Sequence, residues 1–464
     1  MISRAFFVIL SILNAVLCDR ACYWNAECPF QLYSTKTPYD TVRGDIRDHE
    51  LPNNCQAVSI WTLNRHGNRN PGSSVTESIK VIAGLKDEII QSYEAGRGQL
   101  CAQDIENFRR WSWNETLETS ASFLTGTGYE ELYNIAKRLR ERYPHLLQGS
   151  EDTFYLRTTN EQRTVTSSMA FVHGLTEDSN LTLTVDGPFE RDDLIRPYEN
   201  CDKYQQDVKT SQELQDQIDA YLSTNEYLAV QNRVQARLGI TTQLSAEDIY
   251  SIYEICRFYR SWTETLQSPW CAAFTNEDLV VLEYRDDVRH YYRNGYGSWV
   301  NVNLGSTVVK NLYDNFAAVV NGTGLSWVSY FTHDTMLEMA YCALGLYKDD
   351  FVLEGNYRNP NRKWQTSNIA CFSVNIVAVL NRCQESGSQT HRVQFFVNEK
   401  VSDLCPFEGC TWQEFQERYS SFSDTDLSFC SLDYRGPDLD GGAALAGLSL
   451  MTAIAQIVLI TMFR

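Results

Sequence analysis

Hydrophobic and polar positions along this chain switch between two periods, and the switches mark its elements. Ala57 to Leu63 is a short, apolar, β-rich run that predicts a strand, and it enters a polar loop from Arg65 to Pro71. Beyond the loop, Ser74-Val75-Thr76-Glu77 has the form of a capping box. Ile79, Ile82, Ile89, Ile90 and Tyr93 then recur at helical spacing until Gly96 and Gly98. The same order of strand, loop and helix returns twice. Phe154-Tyr155-Leu156 leads through a polar loop to a helix carrying Arg163, and Trp327 to Phe331 leads to His333-Asp334 and a helix from Met336 to Leu344, stopped by Gly345. Repeated units of this kind predict an α/β domain with a mostly parallel central sheet flanked by helices. In such sheets ligands gather beyond the carboxyl ends of strands, where helix N-termini offer N–H groups to anions. All three loops lie at such ends.

Between about Asp202 and Trp270 the strand signal fades into a polar stretch rich in Gln and Glu, with Leu214, Ile218, Tyr221 and Leu222 at helical intervals. This predicts a helical insertion, residues 201–270, that caps an α/β domain made of residues 19–200 and 271–433. No internal repeat or low-complexity segment is visible.

The two ends change the picture. Met1 to Cys18 holds one early cation, Arg4, an apolar run from Ala5 to Leu13, and Val16-Leu17-Cys18 suited to cleavage, which reads as a signal peptide, residues 1–18. The run is shorter than the roughly 20 residues that a membrane span needs. Residues 434–464 join a polar spacer to Gly441, Gly442 and an apolar tail. That is the form of a glycosylphosphatidylinositol anchor signal, with a transmembrane tail as the alternative. Both ends place the body outside the cytosol, on the extracellular face of the plasma membrane or secreted. The 14 cysteines fit disulfides in an oxidising compartment, where Asn114, Asn180 and Asn321 are allowed glycosylation sites. A formal charge of −19 argues against nucleic acid as a partner. A chain so acidic can handle anionic esters only by concentrating its cations locally.

Arg65-His66-Gly67-Asn68-Arg69-Asn70-Pro71 has the composition for that chemistry. A neutral imidazole attacks phosphorus well only when cations cancel the charge on the oxygens it approaches. Arg65 and Arg69 supply bidentate forks, Gly67 leaves room for phosphate beside the backbone, and Pro71 stiffens the exit. A match to Arg-His-Gly-any-Arg-any-Pro arises by chance in a chain this long about once in ten thousand. His333-Asp334 carries little weight alone, but its place at a strand end suits an acid that protonates a leaving alkoxide and a histidine that donates to phosphate. Kept protonated by its surroundings, such an acid favours acidic working conditions. Spacing alone leaves Arg163 and Arg157 as competitors for a third arginine.

These residues resemble the histidine acid phosphatase family, and within it most closely the multiple inositol polyphosphate phosphatases and phytases. The resemblance covers nearly the whole chain. It rests on Thr35-Lys36-Thr37-Pro38-Tyr39-Asp40, the Arg65 to Pro71 motif, Arg157-Thr158-Thr159-Asn160-Glu161-Gln162-Arg163, His333-Asp334, Gly345-Leu346-Tyr347-Lys348-Asp349 and Asn398-Glu399-Lys400-Val401. It implies the histidine phosphatase fold with a smaller helical domain beside the active-site cleft. It also implies His66 as nucleophile, Arg65, Arg69, Arg163 and His333 as phosphate clamps, Asp334 as proton donor, and neither metal nor organic cofactor. Arg163 then stands ahead of Arg157. The implied disulfides are Cys22–Cys28, Cys55–Cys383, Cys201–Cys430, Cys256–Cys271 and Cys405–Cys410, leaving Cys101, Cys342 and Cys371 unassigned.

The implied activity is hydrolysis of inositol polyphosphates. One departure qualifies it: His333-Asp334-Thr335 stands where inositol polyphosphate phosphatases of this group often carry His-Ala-Glu, and it matches general acid phosphatases and many phytases. Lys36, Arg43, Arg358, Arg362 and Lys363 are candidates for binding further ring phosphates. A broad-specificity acid phosphatase is the alternative, and an inactive surface binding protein is disfavoured by the presence of the complete catalytic set. A phosphoglycerate mutase-like enzyme shares Arg-His-Gly but lacks the continuation through Arg69 and Pro71.

Overall fold

The computed structural model describes residues 32–177, 179–262 and 268–434. The two terminal signals and the Cys22–Cys28 pairing lie outside them. Eight strands form one sheet: β1 (Cys55–Arg65), β2 (Phe154–Thr158), β3 (Val185–Asp186), β4 (Trp327–Thr332), β5 (Asn375–Glu385), β6 (Ser388–Val397), β7 (Lys400–Val401) and β8 (Cys410–Thr411). Their order is β3-β2-β4-β1-β5-β6-β7, with β8 against β6.

The sheet is mixed. β3, β2, β4 and β1 run parallel, whereas β5 joins β1 antiparallel and β6, β7 and β8 continue that way. The antiparallel half is folded by short turns. Ser386-Gly387, between β5 and β6, places both residues at positive φ, as a two-residue hairpin with the right twist requires. The parallel half needs crossovers, and those connections are the helices.

Register sets the site. Arg65 at the end of β1 pairs with Thr332 of β4, and Thr158 at the end of β2 pairs with Phe331, so three carboxyl ends lie side by side. β4 is buried throughout, and β1 is buried from Ser59 to Arg65, so their polar side chains must find partners inside. Thr62 donates to the Ser329 hydroxyl, and the Asn64 amide donates to Thr62 Oγ1 and the Tyr330 carbonyl. Most of the ladder's polar groups therefore stay buried with partners, Asn64 Oδ1 being the exception.

The helix after the first loop differs from its sequence reading in two ways. It begins at Ser73 with Gly72 as N-cap and no side-chain cap bond, so the capping box does not form. It also ends at Ala83 and resumes as Lys86–Glu94, because Gly84 and Leu85 turn the chain. Within residues 201–270 the helices Gln212–Leu222, Asn225–Leu238 and Ala246–Trp262 form, with Ile218 and Tyr221 buried. They share their packing with the earlier segment: the Gln99 amide donates to the Arg237 carbonyl, and Glu88 accepts from the Thr241 and Thr242 amides.

Disulfides join Cys55–Cys383 across β1 and β5, Cys201–Cys430, Cys256–Cys271 and Cys405–Cys410, as the resemblance implied. Cys101 is also disulfide-bonded, while Cys342 and Cys371 are free and buried. Asn114, Asn180 and Asn321 are all exposed.

Candidate active site

His66 leaves β1 at the point where the ladder stops. Its amide still donates to the Thr332 carbonyl. The Gly67 amide donates to Ser167 Oγ, and a Cβ on Gly67 would stand 2.2 Å from the Gly128 carbonyl oxygen. Only glycine fits there, so the loop turns sharply under the helix Gly126–Arg142. His66 Nδ1 lies 2.8 Å from the Gly67 carbonyl. A carbonyl only accepts, so Nδ1 carries the hydrogen and Nε2 keeps a free lone pair. Burial, followed by the charges of Arg65, Arg163 and Arg69, holds this imidazole well below the usual histidine range. It is a neutral imidazole among cations.

Arg65 forms the floor. Its Nη1 donates to the carbonyls of Thr35 and Ala370, its Nη2 lies 3.0 Å from Asp334 Oδ2, and its guanidinium sits over the Phe372 ring. Arg163 stands in the first turn of the helix Gln162–Thr176 and Asp334 opens the helix Asp334–Leu344, so both helix N-termini face the same space. Arg163 Nη2 points at His333 Nδ1, 3.4 Å away, and His333 Nε2 lies 3.3 Å from Thr159 Oγ1. Burial, then Arg163 and Arg196, keep His333 neutral. In this state it orients Arg163.

Asp334 corrects an expectation. Burial pushes its carboxyl up, but the Arg65 guanidinium, 3.0 Å away, leads the neighbouring charges that outweigh burial and hold it well below the usual carboxylate range. It is ionised in the free protein.

A cavity of about 160 Å³ opens above His66, lined by Arg69, Arg163, Arg196, Lys209, Arg293, His333 and Asp334, with Tyr198, Glu199, Tyr204 and Thr335 completing the wall. This is the local concentration of positive charge that an acidic chain needs. Glu161 bridges two of the arginines, 3.3 Å from Arg163 and 3.2 Å from Arg196. The buried Nε–H groups of Arg65, Arg69, Arg163, Arg196 and Arg293 have no acceptor among the described residues. The guanidinium groups of Arg69, Arg163, Arg196 and Arg293 line the cavity and Arg65 lies beside His66, a convergence of cations that suits an anion.

The structure thus brings together His66, Arg65, Arg69, Arg163, His333 and Asp334. Arg157 is elsewhere, paired with Asp192 and stacked on Phe189. Of the five further cations, Lys36 alone flanks the site: it and Arg69 lie over the same Phe258 ring, and burial pulls its amine down to about 7. Arg43 pairs with Asp40, Arg358 with Glu226, and Lys363 donates to the Lys348 carbonyl. Arg362 is buried between Asp287 and Glu283. Each of those four is committed to structure away from the cavity. Arg196, Lys209 and Arg293 were not singled out, because each is one cation on an irregular or helical segment. The spacing of Arg285, Arg289 and Arg293 along one helix face is the only hint the sequence offers. No cluster of three His, Cys, Asp or Glu suited to a metal ion occurs among the described residues.

The chain is 32% identical over 98% of its length, and 99% of the relative's, to a multiple inositol polyphosphate phosphatase of Drosophila melanogaster. It is 24% identical over 76% of its length, and 77% of the relative's, to an acid phosphatase of Schizosaccharomyces pombe. The fold is similar to that of the phytase from D. castellii, with a TM-score of 0.69 at 19% identity, covering 88% of this chain and 91% of that one. Residues 58–398 match the histidine phosphatase superfamily (branch 2), and the chain belongs to that family.

Proposed function

We propose that this chain is a phosphomonoesterase of inositol polyphosphates that works through a phosphohistidine on His66. The observation that carries the reading is the convergence of the Arg65, Arg69 and Arg163 guanidinium groups on a neutral imidazole with its Nε2 lone pair free. His66 Nε2 attacks phosphorus, and the P–N bond forms as the ester P–O bond breaks. Asp334 gives its proton to the leaving oxygen. Water then attacks phosphorus, Asp334 takes its proton, and the P–N bond breaks to release inorganic phosphate and neutral His66.

Because Asp334 is ionised at rest, its proton arrives with the substrate. A phosphate dianion competes for Arg65 and places like charge beside the carboxylate, which raises its affinity for a proton. Acidic working conditions follow from this coupling.

The substrate class is carried over from the named relatives. The count of cavity cations beyond those touching one phosphoryl group supports it: Arg196, Lys209 and Arg293 are surplus to a simple monoester. His333-Asp334-Thr335 favours a second reading, a broad-specificity acid phosphatase. Export from the cytosol belongs to the same proposal and is supported by the disulfides and the exposed sequon asparagines.

The test follows phosphate release at mildly acidic pH from inositol hexakisphosphate and, separately, from an aryl phosphate. A kcat/KM at least about tenfold higher for the inositol substrate, roughly the worth of one added charge-assisted contact, is expected. Equal or better turnover of the aryl ester would favour the second reading.

A further inference from the structure

The loop that carries His66 accounts for its backbone polar groups one by one, and a residue outside the motif takes a central share. Glu131 lies on the helix Gly126–Arg142, one turn beyond Gly128, and is 7 % exposed. Its Oε2 accepts from the Asn68 amide at 2.9 Å and from the Ser373 hydroxyl at 2.6 Å. Ser373 in turn donates its own amide to the His66 carbonyl at 3.2 Å. This carboxyl group therefore closes a circuit from His66 through Ser373 and back to Asn68, on both sides of Gly67.

Two further observations show that the circuit is under constraint. Ser373 sits at φ +56, a conformation that a non-glycine residue adopts rarely and at a cost, so its surroundings must hold it there. Helix and loop also touch backbone to backbone: a Cβ on Gly128 would stand 2.1 Å from the Asn68 carbonyl oxygen. The Asn68 amide is buried in that contact, so losing its acceptor would leave it unpaired or force the loop to move.

We propose that Glu131 is a positioning residue for the reaction, fixing the loop so that His66 Nε2 faces the phosphoryl group. It touches neither substrate nor reacting atoms. Burial pushes its carboxyl up to about 7, so at mildly acidic pH the side chain is a neutral acid that still offers a carbonyl-like acceptor. Glutamine offers the same acceptor. The inference rests on His66 as nucleophile.

The test compares the wild type, Glu131→Gln and Glu131→Ala in aryl phosphate turnover, each also assayed for label on His66 after rapid quench. We expect Glu131→Ala to lose about 100-fold in kcat with KM within about threefold, as for a nucleophile displaced by an ångström. Glu131→Gln is expected to stay within about threefold of the wild type. Full kcat in Glu131→Ala despite lower thermal stability would overturn the inference, as would Glu131→Gln falling as far as Glu131→Ala. If Glu131→Ala fails to fold, Ser373→Ala removes one donor and leaves the Glu131 carboxyl group in place. A drop of about tenfold in its kcat at unchanged KM is then expected, and no drop would overturn the inference. No label on His66 in the wild type would instead overturn the phosphohistidine reading itself, and this inference with it.

Discussion

On the floor of the cleft, Arg65, His66, Arg163 and His333 stand at the ends of three adjacent strands, and each is held by backbone or buried hydrogen bonds. On the rim, Arg196, Lys209 and Arg293 come from a short 3-10 segment, the end of a π turn and the last turn of a long helix. The floor leaves little freedom: His66 has its amide, carbonyl and Nδ1 all committed. The rim cations are held by side chains alone, Arg196 by Glu161 and Glu199 and Lys209 by Gln205. A rigid floor suits bond breaking, which depends on sub-ångström placement. Long side chains on separate elements suit charge neutralisation, which tolerates variation. On the proposed reading, chemistry and choice of substrate fall to different residues, linked through Glu161 between Arg163 and Arg196.

Asp334→Asn breaks the floor. We expect a loss of about 1,000-fold in kcat on inositol hexakisphosphate, whose alkoxide must be protonated, and a much smaller loss on an aryl ester with a good leaving group. Equal losses on both would show that Asp334 acts through Arg65 alone. Next in size, Arg362→Met is expected to lower unfolding free energy by about 3–5 kcal/mol in denaturant titration, because Asp287 and Glu283 would be left buried without their cation. Turnover per folded molecule should not change. A raised KM for inositol hexakisphosphate with intact stability would return Arg362 to the substrate site. The smallest effect belongs to the rim: Arg293→Met should raise KM about tenfold for inositol hexakisphosphate and less for an aryl phosphate. An equal rise for both would place Arg293 on the floor.

The same division explains what the sequence could reveal. The strand, loop and helix units at Ala57, Phe154 and Trp327 were legible because each couples a short β-rich run to a helix with its own stop signal, as Gly345 provides at positive φ. The residues that converge around His66 were legible because they sit within a few positions of those strand ends. The antiparallel half was less so, since buried strands such as β5 are apolar in either orientation and their pairing is decided by a two-residue turn. The break at Gly84 hid inside an unbroken helical period. Arg362 and Arg358 looked like candidates because a cation's partner, here Asp287 or Glu226, lies far away in sequence. Arg196, Lys209 and Arg293 escaped for the converse reason, since nothing near them in sequence marks them as convergent. The charge state of Asp334 depended on its distance from Arg65, which only the fold supplies.

The central claim is that His66 becomes phosphorylated, and trapping the intermediate tests it most directly. Protein mixed with substrate, quenched rapidly at alkaline pH to preserve phosphohistidine and digested, should yield label on the peptide containing His66, formed and lost at rates consistent with turnover. His66→Ala should fold, carry no label and lose turnover by roughly 10⁴-fold or more. A folded His66→Ala protein that kept full phosphatase activity would contradict the account.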